Sequence, residues 1–345
     1  MKRIFILVIL IIFVIFIILF ENFFAKIYKA SFQKYKIGFV VSDIGDKGFA
    51  DMQLEGVKKA SKIYKTKYKL FITKSFDKIK DGIISAIDEG CNIIICGNGF
   101  LAEKQVLELA PLYPQNYFII MDTILKNYPD NVATVSFKQN EGSFLAGIIA
   151  GKITKSKKIG FIGGMNIPVI NDFLVGFIQG VGFVDNSIKV ISKFVEDLKV
   201  SNPFQSIEGG YKIASSLIEK DKVDIIYAVS GETNLGIFNA LKDRIIDNQK
   251  IFAIGVDTDQ DGLLEGQILT SMIKNLDTAV IYIIDKIINK NFENKNFRIG
   301  LKENGVGLTE MKYTKDIISK DLLNLLDQIK QNIIEGKIIV DSVYN

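Results

Sequence analysis

The sequence predicts an α/β fold in which parallel sheets are covered by helices on both faces and divided between two doubly wound lobes. Three observations carry this expectation. From Lys36 onward, short apolar runs alternate with segments of helical periodicity, the pattern of strands joined through crossover helices. The runs are continuous, as in strands buried on both faces. Finally, 345 residues suggest about two domains at roughly 150 residues each. No low-complexity linker or long charge run divides them, and the five Pro fall at segment edges. Two lobes joined by several crossings of the chain fit this better than two beads on a string.

The chain opens with Met1-Lys2-Arg3 and an unbroken apolar run from Ile4 to Phe20. A short basic region before a long apolar one is an export signal. The run is slightly short for a span, which needs about 20 residues, and long for a signal core. Phe23 and Tyr28 stand two positions before Ala25 and Ala30, so cleavage is poorly specified. No Cys follows the run to accept a lipid by thioether chemistry. An uncleaved anchor over residues 4–20 with Lys2 and Arg3 inside is the preferred reading; a cleaved signal is the alternative. Either way the body is exported, to a periplasmic or extracytoplasmic location.

Strands are expected at Ile37–Val41, Ile93–Cys96, Phe118–Met121, Ile159–Ile162, Val223–Val229 and Ile251–Val256. Helices are expected at Phe49–Tyr64, Gln139–Ile153, Phe173–Val184, Tyr211–Ile218, Leu235–Ile246 and Leu276–Ile288. Residues 1–30 form the signal or anchor segment. One lobe takes residues 36–135 plus about 257–300, the other 136–256 plus about 301–345. No strong internal repeat is visible.

Composition excludes several functions. The chain has no His, so His triads, His general bases and His metal sites are ruled out. The net charge of +4 is dispersed, too mild for nucleic acid. Trp is absent, which leaves Phe and Tyr for aromatic stacking. Cys91 and Cys96 lie five apart in one apolar run. Odd spacing places them on opposite faces of a strand, as unbonded core residues. The sequence has neither a Gly-x-Ser-x-Gly elbow nor a Gly-x-Gly-x-x-Gly loop after a strand. It reads as a binding protein, with no enzyme chemistry, no cofactor and no metal.

The most informative stretch is Ile251-Phe-Ala-Ile-Gly-Val-Asp257-Thr-Asp259-Gln260. A buried strand delivers polar groups at its carboxyl end, where open α/β sheets bind ligands. Lys274 follows shortly after, and a carboxylate with an ammonium in one cleft suits a ligand rich in hydroxyls. Asp43 ends the first body strand, in Ser42-Asp43-Ile44-Gly45-Asp46-Lys47-Gly48-Phe49. Phe49, at a helix start, reads equally as a core aromatic. Cys96-Gly97-Asn98-Gly99 ends another strand. Its glycines let backbone approach a ligand and set Asn98 among the cleft residues, although a simple turn has the same pattern. Asp122 ends a further strand and can accept paired hydrogen bonds from a ring N–H and an amine; its ordinary role is capping. Ile162-Gly163-Gly164-Met165 lacks the Gly-Lys-Ser/Thr ending of a triphosphate loop. Asp257 to Gly262 imitates half of a calcium loop, but Ile268 stands where a bidentate Glu is needed.

Several motifs together resemble one family. They are Asp46-Lys-Gly-Phe49, Asn140-Glu-Gly-Ser-Phe-Leu-Ala-Gly147, Ile159-Gly-Phe-Ile-Gly-Gly-Met165, Ile167-Pro-Val-Ile170 with Phe173 and Gly176-Phe177, Ile254-Gly-Val-Asp-Thr-Asp-Gln260 and Leu269-Thr-Ser-Met-Ile-Lys274. The chain resembles the basic membrane protein family of bacterial substrate-binding proteins, the purine nucleoside receptor type. The resemblance implies a type I periplasmic-binding-protein-like fold, with two lobes joined by a multi-strand hinge and closing on a ligand. It implies capture of a purine nucleoside (adenosine, guanosine or inosine) for an ABC transporter permease. Phe49 matches one stacking aromatic. Gly210-Tyr-Lys-Ile-Ala214 fixes the register that puts Phe204 on the second. Asp122 matches the acid that reads the base, Asp257 and Lys274 the ribose-binding pair, and Asp43 and Gly231 pocket-lining positions. The chain departs from the family at Ala50, where Asn is usual, and at Ser206, where an acid is usual. The alternatives are a binder of another small ligand such as a sugar or autoinducer, an anchored signalling receptor, and a surface adhesin.

Overall fold

The computed structural model describes residues 35–45, 48–246 and 250–344, together with 16–17 and 20–21. The expected signal or anchor segment lies outside the described residues except at those four positions, as do Asp46 and Lys47. No described helix is long and apolar enough to cross a membrane.

Among the described residues the strands form two six-stranded sheets. The first runs in the order β11 (Asn296–Ile299), β5 (Val132–Phe137), β4 (Tyr117–Met121), β3 (Ile93–Cys96), β1 (Lys36–Val41), β2 (Lys67–Ile72). The second runs β12 (Val306–Leu308), β10 (Ile268–Lys274), β9 (Phe252–Asp257), β8 (Ile225–Val229), β6 (Lys158–Gly163), β7 (Lys189–Phe194). All pairings are parallel except β10 with β12. Six strands beyond the expected runs complete the sheets. Two of them, β2 and β7, are Lys-rich edge strands that are mostly exposed or half-buried. Charged edges of this kind block pairing with other chains, and they hide the strand from any search for apolar runs.

The two sheets have the same strand order, so the second lobe repeats the first, and the equivalent strands β1 and β6 both begin Lys-Ile-Gly-Phe. The return to the first lobe comes later than expected. β10 pairs with β9 in the second sheet, so the crossing follows Lys274, whereas residues from about 257 are expected in the first lobe. The chain passes between the sheets three times among the described residues: after β5, after β10, and between β11 and β12.

Helices cover the sheets. On the first lobe, α1 (Phe49–Tyr64) lies beside α8 (Leu276–Ile288), tied by Lys59 to Asp277 at 2.6 Å and by the Tyr64 hydroxyl to Asp285 at 2.5 Å. The same lobe carries α2 (Ile79–Asp88) and α3 (Glu103–Leu109). On the second lobe, α4 (Gln139–Ile153) meets α5 (Pro168–Val184) at backbone contact. A Cβ on Gly147 would lie 2.4 Å from the Phe177 carbonyl oxygen, and one on Gly180 would lie 2.1 Å from that of Phe144. Glycine is required there by proximity. The remaining helices are α6 (Ile207–Ser216), α7 (Asn234–Ile246) and α9 (Lys320–Ile334).

A polar node joins the lobes behind the cleft. Asp172, on α5, is fully buried. Its Oδ1 accepts from the Ser342 hydroxyl at 2.6 Å and from Val343 N at 3.1 Å, and its Oδ2 lies 3.6 Å from the Arg298 guanidinium on β11. Arg298 also donates to Ser342 Oγ at 3.2 Å. Burial raises the Asp172 carboxyl above the ordinary aspartate range, and these partners offset only part of that rise.

The cysteines are free and buried, but they do not lie on opposite faces. Cys91 and Cys96 belong to the same apolar cluster, because β3 begins at Ile93 and strand alternation does not extend back to Cys91. Burial pushes the Cys96 thiol up to about 12 and raises Cys91 as well. Only the thiolate is reactive. The folded protein is therefore expected to leave both thiols unmodified by an aromatic disulfide reagent at about pH 8, and to release two equivalents of reporter once urea unfolds it. Absorbance of the released thiolate measures this.

Candidate functional site

The parallel strands of both sheets aim their carboxyl ends at one cleft, where chain ends and helix starts supply polar groups. The cleft holds a cavity of about 430 Å³, within the usual range for a small-molecule site of roughly 300–1,000 Å³. Phe49, Asp43, Asn98, Asp122, Phe204, Gly231, Asp257 and Lys274 all line it. The structure thus brings together every residue singled out from the sequence, although their chain positions span more than 200 residues.

The first lobe contributes one wall. Phe49 opens α1 and is half-buried. One turn later, the buried Gln53 donates through Nε2 to the carbonyls of Phe49 and Gly97, at 3.2 and 3.3 Å. This ties the helix start to the loop after β3. Asn98 accepts from Ser42 N and donates to Ser42 Oγ, both at 2.8 Å, which fastens the loop after β1 to the loop after β3. Asp43 belongs to the rim. Its side chain is 59% exposed, with Lys74 Nζ 3.9 Å away.

The second lobe presents Phe204 on a loop clamped at the backbone. Asn202 Oδ1 accepts from Phe204 N at 3.0 Å, and Thr233 N donates to Phe204 O at 3.2 Å. Gly231, at φ +62°, turns the chain under this loop in a conformation that costs glycine least.

Asp122 and Asp257 occupy equivalent corners. Each stands at the end of the fourth strand of its lobe, each precedes a Thr, and each has a left-handed backbone, at φ +59° and +66°. Such φ values are uncommon outside glycine, with Asp among the more tolerant residues. The corner at Asp257 is braced by Gln260. Its Oε1 accepts from Val256 N at 3.0 Å and from Asn234 Nδ2 at 3.3 Å. Asp261, almost fully buried, accepts from Ser271 Oγ at 2.7 Å. The polar residues that imitated a calcium loop are thus committed to bracing it. No cluster that could hold a metal occurs among the described residues.

Lys274 lies at the floor. Its ammonium contacts both carboxylate oxygens of Asp122, at 2.9 and 2.8 Å, with the side chains 2% and 10% exposed. It also sits 4.9 Å from the Phe173 ring centre, 5.3 Å from Phe137 and 6.0 Å from Phe49. The resemblance had grouped Lys274 with Asp257. In the structure its hydrogen-bonded carboxylate is Asp122, on the opposite lobe. Carboxylates outnumber ammonium groups on the lining, with Asp43, Asp122, Asp257 and Glu232 against Lys274.

Sequence reasoning did not assign Phe76, Val169, Ile170, Phe173 or Gly164 to the cleft. All but Gly164 line the cavity directly. The signal was present in Pro168, which starts α5 at the cleft and so turns the first apolar turn of that helix toward it. An apolar helix start nevertheless reads first as core. Gly164 lies directly against the ring of Phe204.

Comparison with known proteins places this geometry. Residues 34–343 match the family model described as ABC transporter substrate-binding protein PnrA-like. The chain is 31% identical over 321 residues to a CD4+ T-cell-stimulating antigen of Listeria monocytogenes, covering 87% of each chain. It is 30% identical over 316 residues to the ABC transporter nucleoside-binding protein BmpA of Lactococcus lactis, covering 87% of this chain and 86% of that one. Among solved structures, an ABC transporter solute-binding protein from Aeropyrum pernix superposes with a TM-score of 0.77 at 25% identity, over 89% of this chain and 93% of that one. The architecture is of the type I periplasmic-binding-protein kind.

Removing Lys274 would leave the Asp122 carboxylate buried without its counter-ion. Lys274→Met is expected to lower unfolding free energy by about 3–5 kcal/mol, the usual cost of breaking a buried pair from one side. Lys274→Met combined with Asp122→Asn should recover more than half of that loss. Urea denaturation followed by circular dichroism measures both.

Proposed function

The chain belongs to the family of PnrA-like ABC transporter substrate-binding proteins, and on that premise we propose that it captures purine nucleosides outside the cytoplasm and delivers them to a transporter permease. The observation that carries this reading is the make-up of the cleft between the lobes. Two aromatic rings, Phe49 and Phe204, come from opposite lobes, and three charged groups, Asp122, Asp257 and Lys274, gather at its floor. A planar base stacked between two Phe rings gains about 1–3 kcal/mol per face. Asp122 orients the base by accepting from the donors on its edge (N1–H and the 2-amino group of guanosine, N1–H of inosine, the 6-amino group of adenosine), while Asp257 and Lys274 meet the ribose hydroxyls. Asn98, Gly231 and Asp43 complete the lining and the rim. The Lactococcus relative named a nucleoside-binding protein supports the ligand class.

On this reading the protein makes and breaks no bonds and needs no cofactor. Lobe closure is the functional event, and the partners are adenosine, guanosine or inosine, the permease, and the membrane through residues 4–20.

Calorimetric titration of protein unfolded and refolded to strip any co-purified ligand tests the reading, with adenosine, guanosine, inosine, uridine and ribose as probes. Purine nucleosides are expected to bind tightly and ribose to give no heat. Silence for all five from a folded sample would sink the nucleoside assignment. Asp257→Ala should weaken nucleoside binding by well over tenfold, since a hydrogen bond to a charged group contributes about 1.5–3 kcal/mol. Phe49→Leu should abolish the preference for a purine.

A further inference from the structure

We propose that Gly164 is a positioning residue that sets the width of the ligand slot, by letting the Phe204 ring lie directly against the main chain. The inference rests on the reading of Phe204 as one wall of the nucleoside site.

Gly164 follows β6. A Cβ built on it would lie 2.3 Å from Phe204 Cε1, 2.5 Å from Cδ1 and 3.0 Å from Cζ. Those are three consecutive carbons of one ring, so the ring rests against the Gly164 Cα. Real Cβ atoms do not approach other atoms this closely, and ordinary contact begins at about 3.4 Å. Any side chain here therefore moves either the main chain or the ring.

The main chain is held. Gly164 N donates to Val229 O at 3.0 Å, and its carbonyl accepts from Glu196 N at 3.1 Å. Glu196 in turn accepts from Asn166 N at 2.7 Å, which closes the turn. The backbone of Phe204 is held as well, by Asn202 Oδ1 and Thr233 N, and the Gly231 turn lies against its carbonyl. With both backbones fixed, the ring alone can yield, and the open side is the cavity. It must travel roughly an ångström to restore van der Waals contact. A base sandwiched between two rings needs about 3.5–4.0 Å on each face, so a shift of that size closes the slot to it.

Backbone conformation does not explain the glycine. Gly164 is absent from the positive-φ positions of the chain, so an L residue fits its dihedral angles. The three atoms nearest to an added methyl group all belong to the ring of Phe204. Gly231 differs, because its φ of +62° favours glycine on its own account.

The test is a double-mutant cycle in the full chain, with Gly164→Ala, Phe204→Leu and the pair, each titrated with inosine and each unfolded in urea. Gly164→Ala is expected to lose at least tenfold in affinity while its urea midpoint stays at the wild-type value. In the Phe204→Leu background the same substitution should change affinity by less than twofold, because the ring it displaces is gone. Undiminished affinity of Gly164→Ala, or losses that simply multiply in the pair, would overturn the proposal. The contact itself is read without any nucleoside, as a nuclear Overhauser effect between the Gly164 Hα and the Phe204 ring protons. Its absence also overturns the proposal. If the wild type binds no nucleoside while this contact is seen, the function reading fails and the seat of the ring stands.

Discussion

The ion pair between Lys274 and Asp122 is the interaction around which the site is organised. It connects the end of β10 in one sheet to the end of β4 in the other, at the point where the chain leaves the second lobe. A lysine this buried is sustained only by a partner, and here the carboxylate grips it with both oxygens. The rings of Phe137 and Phe173 crowd the ammonium closely enough for cation–π attraction. The floor is therefore dry and charged at once, an environment in which hydrogen bonds to a ligand are strong because water does not compete. Close enough to feel the Lys274 charge, Asp172, Arg298 and Ser342 form a second buried polar contact between the same two lobes.

The matching corners at Asp122 and Asp257 give the cleft a local symmetry. Both aspartates take a left-handed backbone, which lifts the side chain out of the strand direction and into the space between the lobes. The symmetry is broken by their partners. Asp122 faces Lys274 directly, whereas the Asp257 corner is braced from behind by Gln260 and Asn234. Two copies of one structural device thus present two chemically distinct carboxylates to the same cavity.

Much of this was legible in the sequence, for identifiable reasons. Apolar runs on central strands are unbroken because both faces are covered, so β1, β3, β4, β6, β8 and β9 stood out. Acids placed directly after those runs had to reach the crevice, which is why Asp43, Asp122 and Asp257 were found. Edge strands such as β2 and β7 carry lysines for solubility and lose the apolar signature. β10 mixes Thr and Ser into its run and does not stand out as a buried strand, and a lobe boundary near residue 257 sets it in the wrong sheet. The repeat between lobes leaves only short traces, Lys-Ile-Gly-Phe at β1 and β6 and Asp-Thr at the two corners, too brief to read as a repeat. The partnership of Lys274 with Asp122 joins residues 152 positions apart, a relation that no local spacing encodes. Gly164 escaped notice because a glycine pair after a strand suggests a phosphate loop, whereas its meaning lies in the ring packed against it.

The three passages of the chain between the sheets have a consequence for how the molecule comes apart. Neither lobe is encoded by one continuous stretch of sequence, and one apolar cluster contains residues from both sheets. No single cut along the chain releases an intact lobe, and the helix that covers the first sheet beside α1 is reached only after five of the six strands of the second sheet. Loosening either lobe removes packing from its neighbour. The body is therefore expected to melt as one cooperative unit, and its two halves are not separable modules that could be exchanged between relatives by simple recombination.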